Sequence, residues 1–176
     1  VAADYGDIST VKVLIKHKAN VNETDESSQS PLHIACKQGN LGLITLLIKK
    51  NADVSATSFQ ENTPLHFLVG HIPESTTEIS NFFATLEKIK KGGANLNARN
   101  SHGDTPLHCA ALKKSEKNAM WLIRQGVDVT ISNRKGETAL HYAAMYGSKK
   151  FISLLINVGA SPNRKGEEGS PRDYAV

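Results

Sequence analysis

The chain has 176 residues, 39% of them hydrophobic and only 6% aromatic, so its core must be built from Leu, Ile, Val and Ala. That suits thin layers of paired helices better than a wide sheet sandwich, and no apolar run approaches the ~20 residues of a membrane span. Lys and Arg outnumber Asp and Glu by 21 to 17, a mild excess whose meaning rests on where the cations fall.

The first predicted element is a helix marked by Val11, Leu14 and Ile15, the i, i+3, i+4 spacing of an inner apolar stripe. It leaves through Ala19-Asn20-Val21-Asn22. Ser30-Pro31-Leu32-His33 then opens a helix, with Ser as the cap and Pro at the first helical position, where a missing N–H costs nothing. Ile44, Leu47 and Ile48 mark the next helix, and Asn51-Ala52-Asp53-Val54 its exit. Thr63-Pro64-Leu65-His66 opens a helix that ends near Leu68. Ile72–Ser80 follows as an exposed loop, because Pro73 stops a helix and the rest is rich in Ser, Thr and Glu. Leu86 and Ile89 carry the next stripe, with Gly93-Ala94-Asn95-Leu96-Asn97 as its exit. Thr105-Pro106-Leu107-His108, the stripe Ala119/Leu122/Ile123 and the exit Gly126-Val127-Asp128-Val129 repeat the scheme. So do Thr138-Ala139-Leu140-His141, Ile152/Leu155/Ile156 and Gly159-Ala160-Ser161-Pro162-Asn163, before Ser170-Pro171 opens a further partial unit.

These landmarks sit on a ruler. The four motifs begin at positions 30, 63, 105 and 138, so the first and last steps are equal and the middle one is longer by nine. The stripes begin at 11, 44, 86, 119 and 152 and show the same single long step, so the extra residues entered between Thr63 and Leu86. They are bracketed to Ile72–Ser80, whose removal is expected to leave the fold intact. At each exit a Gly would supply the left-handed residue that ends a helix. Lys18 and Asn51 stand in that place, Asn at little cost and Lys at some.

A helix-turn-helix unit of about 33 residues with a Thr-Pro-Leu-His signature resembles the ankyrin repeat. The resemblance implies an all-α solenoid of about five stacked repeats with projecting β-turns. The repeats would run about 1–24, 25–57, 58–99 with the insertion at 72–80, 100–132 and 133–165, with a partial one at 166–176. One domain cut at both ends is expected, because Val1-Ala2-Ala3 aligns with the end of a first helix and lacks a Met. In this family the motif His bonds neighbouring backbone and ties adjacent turns together. A metal ladder of His33, His66, His108 and His141 is not expected, since packed layers ~10 Å apart cannot share ~2 Å bonds.

No Gly-rich phosphate loop, nucleophile elbow or converging carboxylate pair is present, so neither catalysis, cofactor, metal nor small-molecule substrate is expected. Cys36 and Cys109 match no zinc or disulfide spacing and read as small buried hydrophobes of a reducing compartment. The family implies non-catalytic binding of another protein, or of a domain of the same chain, by an intracellular monomer acting as scaffold or adaptor. Cytoplasmic location is expected, with the nucleus as the alternative. Partners would be read by turn tips and by the ends of first helices. Carried over, these positions are Tyr5; Lys37 and Gln38; Phe59 and Gln60; His71; His102 and Asp104; Leu112 and Lys113; Arg134; and Met145 and Tyr146. The lysines of the second helices, among them Lys12, Lys16, Lys49, Lys50, Lys88, Lys149 and Lys150, read as a solvated back. An acidic lipid or nucleic-acid surface is the alternative there, and the lack of interleaved aromatics counts against nucleic acid. The family also places Asn22, Asn97 and Asn163 at a turn position that is hydroxylated in some members.

Overall fold

The computed structural model describes residues 3, 6–73, 75–146 and 149–174. Among these the chain forms nine helices and no strand, with two isolated bridges, Ser132 to Thr138 and Gly166 to Gly169. It divides into two compact units, Val1–Asn95 and Leu96–Val176.

The first unit holds α1 (Ile8–Lys16), α2 (Pro31–Gln38), α3 (Leu41–Lys49), α4 (Pro64–Leu68) and α5 (Thr76–Lys91). α2 packs on α4 and on α3, and α3 packs on α5. The stripe residues Ile44, Leu47, Leu86 and Ile89 meet in this core with the motif leucines Leu32 and Leu65, all fully buried and joined by Leu43, Leu68 and Phe82. The second unit holds α6 (Pro106–Leu112), α7 (Glu116–Arg124), α8 (Ala139–Tyr146) and α9 (Lys149–Asn157). Here α6 packs on α7 and α8, and α8 on α9, around Leu107, Ala119, Leu122, Leu140 and Leu155. Leu14 in α1 and Ile156 in α9 belong to the same stripes yet stay exposed, because no described element packs over them.

Each motif starts its helix as its residues dictate. The backbone N–H of Ser30, Thr63, Thr105 and Thr138 donates to the Nδ1 of His33, His66, His108 and His141, at 2.9–3.1 Å. The helix exits take the left-handed conformation at the predicted places: φ is 66° at Lys18, 62° at Asn51, 96° at Gly93, 80° at Gly126 and 104° at Gly159. The turn asparagines then clamp neighbouring exits, with Asn22 Oδ1 accepting from Asp53 N–H at 2.9 Å and Asn97 Oδ1 from Asp128 N–H at 3.1 Å.

The inserted segment departs from the loop expected at 72–80. Thr76–Ser80 are the first residues of α5, which runs for 16 residues where α3 and α7 run for nine. The extra residues mostly lengthen this helix. Ser75 caps it, its Oγ accepting from Glu78 N–H at 3.2 Å, and Glu78 places an acid in the first turn. Ile79, Phe82, Leu86 and Ile89 continue one stripe at steps of three and four. Pro73 lies outside the helix and is buried.

Candidate functional site

The turns before α2, α6 and α8 are built on one plan. Asp25, Asn100 and Asn133 each accept, through Oδ1, the N–H groups two and four residues on, at 2.8–3.0 Å. The chain can then reverse because the tip holds a left-handed residue: φ is 56° at Ser28, 57° at Glu61, 79° at Gly103 and 76° at Gly136. Within each unit neighbouring turns are joined by backbone bonds of one type. Phe59 N–H donates to Ser27 O at 2.9 Å, Arg134 to His102 O at 2.9 Å and Glu167 to Lys135 O at 2.9 Å. The tips are thereby fixed in space rather than left as loose loops.

Below the tips the motif histidines tie layers together. A backbone N–H can only donate to Nδ1, so the proton sits on Nε2, and that N–H donates onward. His33 Nε2 reaches Asn62 O at 2.9 Å and His108 Nε2 reaches Glu137 O at 3.1 Å, each 29 residues along. Burial lowers the pKa of His33, His108 and His141, because the charged ring would lose its hydration. In the last copy the next helix start, Ser170, comes one position short of the period, and the buried His141 Nε2 meets no partner at ordinary hydrogen-bond geometry among the described residues, although the backbone of Arg164 and Gly169 lies close to the ring. Burial likewise raises both thiols, that of Cys109 to about 12, so neither is a thiolate at neutral pH.

In the first unit the tips and the outer side of α2 and α4 enclose a hollow of about 400 Å³. Glu26, Gln29, Lys37, Phe59, Gln60 and Phe67 line it. Phe59 projects from its tip with 83% of its surface exposed. Lys37 and Gln60 are exposed at the rim, with Gln60 Oε1 also accepting from Asn62 Nδ2 at 3.4 Å; Gln38, beside Lys37, is exposed as well. Phe67 is half-buried and meets the His33 ring edge-to-face, centroids 6.1 Å apart. The spacing had not singled it out. Its signal was the residue directly after the motif His, which varies between copies as Ile34, Phe67, Cys109 and Tyr142.

His71 is engaged within the fold. Its ring stacks on Phe82 at 5.9 Å, its Nε2 lies 3.5 Å from Glu78 Oε1, and it leaves no room for a Cβ on Gly39. It packs against the long α5 while staying half-buried. Tyr5 lies outside the described residues.

In the second unit His102 and Arg134 stand at adjacent tips, Arg134 exposed and His102 exposed in large part. Asp104 is turned into a polar network: Asn133 Nδ2 donates to Asp104 Oδ1 at 2.8 Å and to Glu137 Oε2 at 3.4 Å, and Tyr142 O–H donates to Glu137 Oε2 at 3.0 Å. Burial, with the nearby carboxylates, raises the Tyr142 pKa, so this hydroxyl stays a donor. Leu112 and Tyr146 are 44% and 46% exposed at their helix ends, Lys113 is exposed, and Met145 is half-buried. The Lys114 ammonium stands over the Tyr146 ring, 5.6 Å from its centroid. Among the described residues no group of His, Cys, Asp and Glu is placed to hold a metal ion, and no helix is long and apolar enough to cross a membrane.

A repeating helix pair with a histidine-tied turn defines a repeat scaffold whose variable side chains lie at tips and helix ends. The family model for ankyrin repeats (3 copies) matches residues 1–84 and again 76–166, and the chain belongs to the ankyrin-repeat family. Members are generally protein-interaction modules and generally non-enzymatic. No curated protein matches the chain.

Proposed function

We propose that this protein is a non-catalytic recognition module that binds another protein through its turn tips and first-helix ends, with the Phe59–Phe67 hollow as a principal contact. The carrying observation is Phe59: a large aromatic ring, 83% exposed, on a tip held by its own N–H bond to Ser27 O. An apolar side chain left in water on a rigid support brings contact area at little entropic cost, the character of a binding anchor. Lys37, Glu26 and the amides of Gln29 and Gln60 supply a polar rim around it. In the second unit Leu112 and Tyr146, with Lys113 and Met145 beside them, are the corresponding anchors. His102 and Arg134 give the tips a different chemistry there. Two unpaired thiols in the folded chain support an intracellular site of action.

The test is to capture partners from a cell extract with the chain and measure each one against variants. Phe59→Ala and Tyr146→Ala should each weaken a true partner by ~1–3 kcal/mol, with helical signal and melting temperature preserved. Charge reversal at Lys49 and Lys50, behind α2, should leave that binding unchanged. Tolerance of both aromatic substitutions, with loss from the lysine reversal, would overturn the reading.

A further inference from the structure

On the back of the first unit, α1 and α3 enclose a second groove of about 390 Å³. Ile15 and Leu46 form its apolar floor, with Lys12 and Lys16 on one wall and Lys49 and Lys50 on the other. α1 contributes Lys12, Ile15 and Lys16, and α3 with its C-cap contributes Leu46, Lys49 and Lys50, so each side brings one apolar residue and two lysines. Neither helix contains an Asp or Glu, although a solvated helix face ordinarily mixes both signs. All four lysines are exposed, and none is held by an ion pair or side-chain hydrogen bond to a described residue.

Helix-dipole compensation does not account for this face. Lys16 and Lys49 stand in last turns, where they answer the negative end of the dipole, but Lys12 lies mid-helix and the apolar floor is left open. The neighbouring seam shows what a closed junction looks like. There α3 packs directly on α5, Lys88 Nζ donates to Thr45 Oγ1 at 3.1 Å, and Glu87 adds an acid.

We propose that the α1–α3 groove docks an acidic peptide segment in which apolar side chains are flanked by Glu or Asp. An apolar side chain enters between Ile15 and Leu46, and carboxylates on either side meet the ammonium groups of the two walls. Four cations spread over two walls, Lys12 and Lys16 a helical turn apart and Lys49 and Lys50 adjacent at the end of α3, ask for anions repeated along a chain, not for a single ion. The class of anion follows from the donors. Neither helix carries an Arg, so the planar fork that grips phosphate is missing, and no aromatic ring lines the groove for a base to stack on. Charge on two facing walls suits an inserted segment better than a flat membrane.

The experiment is fluorescence anisotropy of the full chain with a short fluorescein-labelled peptide of alternating Glu and Leu, at low salt. Binding is expected, weakened about tenfold by the double substitution Lys12→Gln/Lys49→Gln, with the circular dichroism melt unchanged. The same charge removed from the second unit, Lys117→Gln/Lys150→Gln, should have no effect; equal weakening would reduce the effect to net charge and overturn the proposal. A peptide with every Leu replaced by Ser should bind more weakly, and undiminished binding would show that the floor is not used. Phosphatidylserine vesicles or polyuridylate retained through Lys12 and Lys49, with no binding of the peptide, would also overturn it, in favour of a membrane or an RNA.

Discussion

At the scale of single residues, the exits and tips show where side chains accept strain so that the period is kept. Lys18 adopts φ 66° at the place where Gly93, Gly126 and Gly159 serve in later copies. A side chain with a Cβ costs about 1–2 kcal/mol in that conformation. Lys18→Gly is therefore expected to raise unfolding stability by ~1 kcal/mol, read as a shift of the urea midpoint with unchanged slope. Ser28 and Glu61 occupy the left-handed tip position that Gly103 and Gly136 fill in the second unit. Lys114 likewise takes φ 58° where Gly39 takes 68°. Such substitutions are tolerated because the surrounding turn bonds over-determine the backbone.

At the scale of elements, the insertion is the informative case. Nine additional residues could have formed a disposable loop, and the polar run with Pro73 argued for one. Ser75 and Glu78 instead supply a helix start, and the stripe from Ile79 through Phe82 gives the added turns an apolar face to bury. His71 closes the junction by stacking on Phe82 over Gly39. Excising 72–80 would remove the cap and the first turn of α5 together. The expected result is a lowered melting temperature, not the neutral outcome a free loop would give. Ser75→Ala alone should cost about 0.5–2 kcal/mol through the cap. An unchanged melt in both variants would show that the start of α5 contributes nothing to packing.

At the scale of the whole molecule, the repeated motif makes stability depend on pH. His33, His108 and His141 are buried as neutral rings, with folded pKa values below the ordinary 6.5. Between the folded and unfolded values the unfolded chain binds more protons than the folded one, so stability rises with pH there. It is complete above about 6.5 and is lost as pH falls through the folded values. Urea midpoints should therefore be flat from about pH 7 to 8 and decline below about 6.5. A midpoint that rose on acidification would contradict the burial of these rings.

Much of this protein was legible as a sequence. A fixed repeat period, Pro at helix starts and Gly, Asn or Lys at helix exits are local backbone preferences, and local preferences can be read one residue at a time. The stripes could be read because 3.6-residue periodicity marks the face that must leave water. Tertiary structure decided what depends on neighbours distant in sequence. It sent His71 onto Phe82 and Asp104 into the Asn133 network, so two residues of the expected binding set also make contacts within the fold. It brought Phe67 beside Phe59 to make a hollow, and it opened the α1–α3 seam while closing α3 on α5. Exposure is a property of what packs over a side chain, and spacing along one helix cannot report what the next layer covers.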